Sequence, residues 1–112
     1  MNSPMTAMPS AEALPIHSLI TPTAGGIASR VLARTPGGNL TLFAFDAGPE
    51  LAEHTAPFDA LVLLLEGALD LTIGGAPVHA TPGTIVRIPG GAPHAVEAPE
   101  PAQMLLLMLR VP

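Results

Sequence analysis

Gly83-Thr84-Ile85-Val86-Arg87-Ile88-Pro89-Gly90-Gly91-Ala92-Pro93-His94 is the stretch on which the reading of this chain turns. Its first half is rich in β-branched residues, which fit a pleated strand. Its second half holds two prolines and two glycines, which break the strand and reverse the chain. A single histidine, His94, is delivered at the far side of that turn.

The same beat runs through the rest of the sequence. Fourteen prolines and eleven glycines punctuate short apolar runs in 112 residues, a pattern of short strands ended by frequent turns. Strands are expected at Arg30 to Arg34, Leu40 to Phe45, Ala60 to Glu66, Leu69 to Ile73, Val78 to Ala80, Thr84 to Ile88, His94 to Ala98 and Gln103 to Val111. About eight strands of this kind suit an all-β fold, a double-sheet jelly roll or a small closed barrel. The length allows one core and no second domain. Residues 16–112 are expected to form that single domain, and residues 1–15 a flexible leader.

Several function classes fall away on composition. The four basic residues, Arg30, Arg34, Arg87 and Arg110, are scattered, lysine is absent, and the net charge is −5. Nucleic-acid phosphates need clustered cations, so nucleic acid is not an expected partner. With no cysteine, disulfides, thiolate metal sites and cysteine nucleophiles are excluded. The four serines, Ser3, Ser10, Ser18 and Ser29, lie in no Gly-x-Ser-x-Gly turn. No apolar run approaches the ~20 residues of a membrane-spanning helix, and no secretory signal stands at the N-terminus. A cytoplasmic protein without membrane partners is the expectation.

Two runs predict burial on both faces. Ala60-Leu61-Val62-Leu63-Leu64-Leu65 and Met104-Leu105-Leu106-Leu107-Met108-Leu109 are apolar at both parities, whereas Leu69-Asp70-Leu71-Thr72-Ile73 alternates, with one face in the core and one in water. A small barrel covers only its interior, so the second faces call for another cover. Homodimerisation through sheet faces is the expectation; the competing reading folds the N-terminal leader over one of these faces.

The Gly83–His94 stretch resembles the second motif of the cupin family, G-x5-P-x-G-x2-H, and matches it through the histidine. Upstream, Gly48, His54 and Gly67 fall on the frame of the first cupin motif, G-x5-H-x-H-x3-4-E-x6-G, but Ala56 stands at the second histidine and Ala60 at the glutamate. The resemblance spans roughly Leu40 to Arg110. It implies a jelly-roll barrel, a double-stranded β-helix, with a pocket at one mouth. It also implies inward ligands for a divalent metal: iron, manganese, nickel or zinc.

Carried over by position, His54 and His94 are the metal candidates, and Ala56 and Ala60 cannot ligate. Asp59 is a weaker candidate, because a one-residue offset on a regular strand sends its side chain to the opposite face. An alternative register would place His54 at the second histidine and Asp59 at the carboxylate, with Ala52 at the first histidine. Glu53 reads as a solvated surface carboxylate, His79 as a packed or solvent-facing strand histidine rather than a ligand, and His17 as structural or incidental.

The expected ligand pocket is apolar, formed by His54, Ala56, Ala60, Val62, Leu64 and His94, and suited to a small organic molecule. The function this favours is small-molecule binding with degenerate metal ligation. One alternative is a metalloenzyme of oxygenase or isomerase type using His54, His94 and Asp59. The other is a structural or sensory dimer with a vestigial pocket.

Overall fold

The computed structural model describes residues 7–110; the first six residues of the expected leader, and Val111 at the expected end of the last strand, lie outside that range. Nine strands follow a short 3-10 turn at Ile16–Leu19: β1 (Ile27–Thr35), β2 (Gly38–Phe45), β3 (Glu50–His54), β4 (Asp59–Glu66), β5 (Leu69–Ile73), β6 (Ala76–Ala80), β7 (Ile85–Ile88), β8 (His94–Glu97) and β9 (Ala102–Leu109). They form two sheets, ordered β1-β2-β9-β4-β7 and β3-β8-β5-β6. All the pairings are antiparallel.

The core lies between the sheets. Alternation assigns the residues: Ala60, Val62 and Leu64 are buried on β4 while Leu61 and Leu63 between them are only half-buried. On β5, Leu69 and Leu71 are buried and Asp70 and Thr72 are exposed. Phe45 and Met104 close the same cluster. Each fully buried large aliphatic side chain contributes about 1.5–3 kcal/mol.

Gly67 makes the β4–β5 turn possible. Its φ is +78°, and a Cβ there would come within 2.1 Å of the Pro101 carbonyl oxygen. Only glycine combines the left-handed backbone with that close approach.

The outer face of the larger sheet is covered in part by the chain itself. Leu42 and Ala44 alternate with the core residue Phe45 and so face away from the core, yet they are only 0% and 1% exposed. Arg30, the cross-strand partner of Leu42, explains this. Its guanidinium donates from Nη1 to the Leu19 carbonyl and from Nη2 to that of Ala7, pinning the N-terminal segment across β1 and β2. Met8 adds a backbone N–H to the Leu32 carbonyl, 2.9 Å away, beside the register shift in β1. The rest of that face is not sealed: Leu61, Leu63, Leu105 and Leu107 are half-buried, and Ile85 is 63% exposed. No helix among the described residues is long and apolar enough to cross a membrane.

Candidate functional site

His54 and His94 come together at the end of the β3–β8 pair, where they are direct cross-strand partners. Their ring centroids are 4.2 Å apart and the planes are inclined by 60°. His94 is buried and His54 exposed, so one ring sits inside the barrel and the other at its mouth.

A bulge achieves this. Leu51 pairs with Val96 and His54 with His94, so three steps on β3 match two on β8. On a regular strand an odd spacing would put Leu51 and His54 on opposite faces. The extra residue lets both side chains line the same cavity, and such bulges re-aim side chains near functional sites. On the β8 side, the turn through Gly91 (φ +83°) brings the chain back, its N–H donating to the Ala56 carbonyl at 2.7 Å.

Both imidazoles are oriented alike. Nδ1 of His54 lies 2.9 Å from the Ala52 carbonyl oxygen, and Nδ1 of His94 lies 3.0 Å from that of Ala92. A carbonyl only accepts, so Nδ1 carries the proton in each ring. In the neutral ring Nε2 is then a bare lone pair.

Beside the histidines the cavity, of about 250 Å³, is lined by Leu51 from β3, Phe43 from β2, Val62 from β4, Ile88 from β7 and Val96 from β8, with Met104, Leu106 and Met108 from β9. Of the residues expected from sequence, His54, Val62 and His94 line it. Ala60 and Leu64 share the inward face and the core cluster of Val62, but neither they nor Ala56 are among the lining residues. The walls that sequence reasoning missed come from strands distant in sequence, and no local signal marks them.

Asp59 does not join the histidines. Its Oδ2 accepts from Nη2 and Nε of Arg87, at 2.6 and 3.2 Å, and its Oδ1 accepts from the Gly90 N–H at 2.8 Å. The Gly90 N–H first, then the Arg87 guanidinium, hold this carboxyl below the usual aspartate range. Parity is the reason: Ala60 takes the inward position, so its neighbour faces the other way. The alternative register is overturned with it. His79 lies on β6, where its Nδ1 hydrogen-bonds Asp70 at 2.6 Å, both side chains exposed. His17 is exposed in the 3-10 turn, and Glu53 is exposed on β3.

The donor set does not fit a retained metal ion. Catalytic sites of this kind supply at least three protein ligands; here there are two imidazoles. Among the described residues no cluster of three histidine, aspartate or glutamate side chains is placed to hold an ion. A carbonyl partner on Nδ1 is the arrangement that orients metal-binding histidines, but at Ala56 and Ala60 the remaining ligands are missing.

Two antiparallel sheets rolled face to face define the double-stranded β-helix class. Within it, the Cupin domain family pattern matches residues 41–110, and the chain belongs to the cupin family. Solved structures agree. A conserved protein of unknown function from Streptococcus pyogenes is 30% identical, covering 94% of this chain and 92% of that one, with a TM-score of 0.88. A cupin superfamily protein from Desulfitobacterium hafniense is 26% identical over 93% and 95%, with a TM-score of 0.86. KdgF from a Halomonas species is 25% identical over 77% and 81%, with a TM-score of 0.71. Among curated proteins, none matches the sequence.

Proposed function

We propose that this cupin binds a small, largely apolar organic molecule in the barrel mouth, with His54 and His94 as its polar anchors. The observation that carries this is the open cavity of about 250 Å³ walled by aliphatic, methionine and phenylalanine side chains around two histidines. Concave apolar sites with a few convergent polar groups are where small molecules bind. A vestigial pocket would instead be filled by side chains. For scale, a dry cavity of about 150 Å³ admits benzene, so a single-ring compound fits here.

Thermal melting in the presence of small uncharged ring compounds tests this. A ligand at a hundred times its Kd stabilises by about 2.7 kcal/mol. A rise in Tm that disappears in Leu106→Trp, whose indole fills the cavity, is the expected result. No rise for any compound, or a rise unchanged in that variant, contradicts it.

The chain also pairs with a second copy through the uncovered outer face of β9, β4 and β7. Cross-strand registers put Ile85, Leu63 and Leu105 in one row and Arg87, Leu61 and Leu107 in the next. Among the described residues the N-terminal segment is pinned over β1 and β2, at the other side of the sheet, leaving the leucines and Ile85 as an apolar patch bordered by the Arg87–Asp59 pair. An isologous dimer buries the patch against itself. The mass of the native protein in solution tests it: twice the chain mass is expected, and a monomer at micromolar concentration contradicts it.

A further inference from the structure

We infer that the barrel mouth selects an uncharged ligand carrying an O–H or N–H donor over one carrying a carboxylate or an ether oxygen. This rests on the proposed small-molecule site and specifies its chemistry. Both histidine Nδ1 atoms are committed to backbone carbonyls, those of Ala52 and Ala92. The polar groups left to the cavity are therefore two Nε2 lone pairs, both acceptors.

Among the described residues no other side chain on the wall supplies a donor. The remaining lining residues are Phe43, Leu51, Val62, Ile88, Val96 and the three β9 residues. None has an N–H or O–H on its side chain. Arg87 and Asp59 are not among the lining residues, and the Arg87 guanidinium is engaged by the Asp59 carboxylate. With both imidazoles neutral, a carboxylate entering this mouth would lose its hydration without gaining a donor or a cation. An ether of the same shape would gain the apolar walls and leave both lone pairs unmet. A hydroxyl gains the walls and a hydrogen bond to imidazole.

The test uses full-length protein freed of metal with EDTA, at mildly alkaline pH, titrated with p-cresol, its methyl ether and p-toluate by calorimetry. One neutral hydrogen bond corresponds to p-cresol binding about fivefold more tightly than the ether, about 1 kcal/mol, with p-toluate weakest. In the double variant His54→Leu/His94→Leu, which removes both acceptors, that ratio should fall toward one while the ether still binds. The retained ether binding shows that this variant is folded and its cavity intact. Equal affinity for cresol and ether in the native protein, or tightest binding of p-toluate, overturns the inference and leaves the apolar site standing. Failure of all three to bind overturns both.

Discussion

His54 and His94, forty positions apart in sequence, are cross-strand neighbours whose ring centroids lie 4.2 Å from one another. Every functional consequence of the fold starts from that pair. The bulge in β3 turns the first ring to the barrel mouth, the turn through Gly91 delivers the second inside it, and the carbonyls of Ala52 and Ala92 hold both in one tautomer.

Replacing Ala60 with glutamate should raise the affinity of the barrel mouth for a transition metal. Ala60 is inward-facing on β4, paired with Ile88 and Met108, both of which line the cavity. A carboxylate there adds a third ligand to two imidazoles, and an affinity for zinc or nickel at least about tenfold higher is expected. Calorimetry with the metal alone measures it. An unchanged affinity in a folded Ala60→Glu protein would mean that this position does not face the histidines.

Asp59→Asn should leave metal binding untouched and alter acid stability instead. The Asp59 carboxyl is held below its ordinary range by Gly90 and Arg87. A group whose folded-state pKa is depressed stabilises the fold above its unfolded pKa, about 3.9 for aspartate, and loses that contribution as pH falls through the folded value. The variant is therefore expected to melt below the native protein at pH 7 and to converge with it in acid strong enough to protonate the carboxyl in the folded protein. Parallel melting curves under both conditions would show that the Arg87 and Gly90 contacts contribute nothing.

Gly67→Ala should be more damaging than Gly91→Ala. Both positions have positive φ, +78° and +83°, which costs a side chain about 1 kcal/mol or more. At Gly91 a Cβ would meet nothing within 4 Å, but at Gly67 it would also lie 2.7 Å from the Ala102 Cα. A loss of about 1 kcal/mol for Gly91→Ala and at least twice that for Gly67→Ala is expected from denaturant melts. Equal losses would show that the chain around Pro101 yields freely.

How much of this could be read from sequence depends on whether a residue's role is local. Leu69–Ile73 is legible to its ends, because alternation and flanking glycines mark it. Asp59 and Ala60 are legible as opposite faces for the same reason. Glu50–His54 is not legible as a strand: two glutamates, an alanine and a histidine give no apolar period, and only pairing with β8 makes the segment extended. Its bulge, on which the orientation of His54 depends, has no mark in the residues at all. The cavity wall is hidden for a related reason, since Phe43, Ile88, Met104 and Leu106 meet only through long-range register. The doubly apolar β4 and β9 announce a covered outer face, yet the residue that fastens part of the cover is Arg30, a charge in an otherwise unremarkable strand.

Leu63→Glu should break the proposed dimer without unfolding the protomer. Leu63 is half-buried on the outer face between Ile85 and Leu105, so a charge there is tolerated in a monomer and not in an apolar interface. Light scattering is expected to give the mass of one chain for the variant and two for the native protein. A dimer that persists in the variant would place the contact elsewhere.

Long-range proton–nitrogen NMR of the histidine side chains addresses the paired imidazoles most directly. The expected spectrum of the metal-free protein has His54 and His94 both protonated on Nδ1 and bare on Nε2, with nuclear Overhauser contacts between the two rings. A proton on Nε2 of either neutral ring, or rings with no mutual contact, would contradict the site.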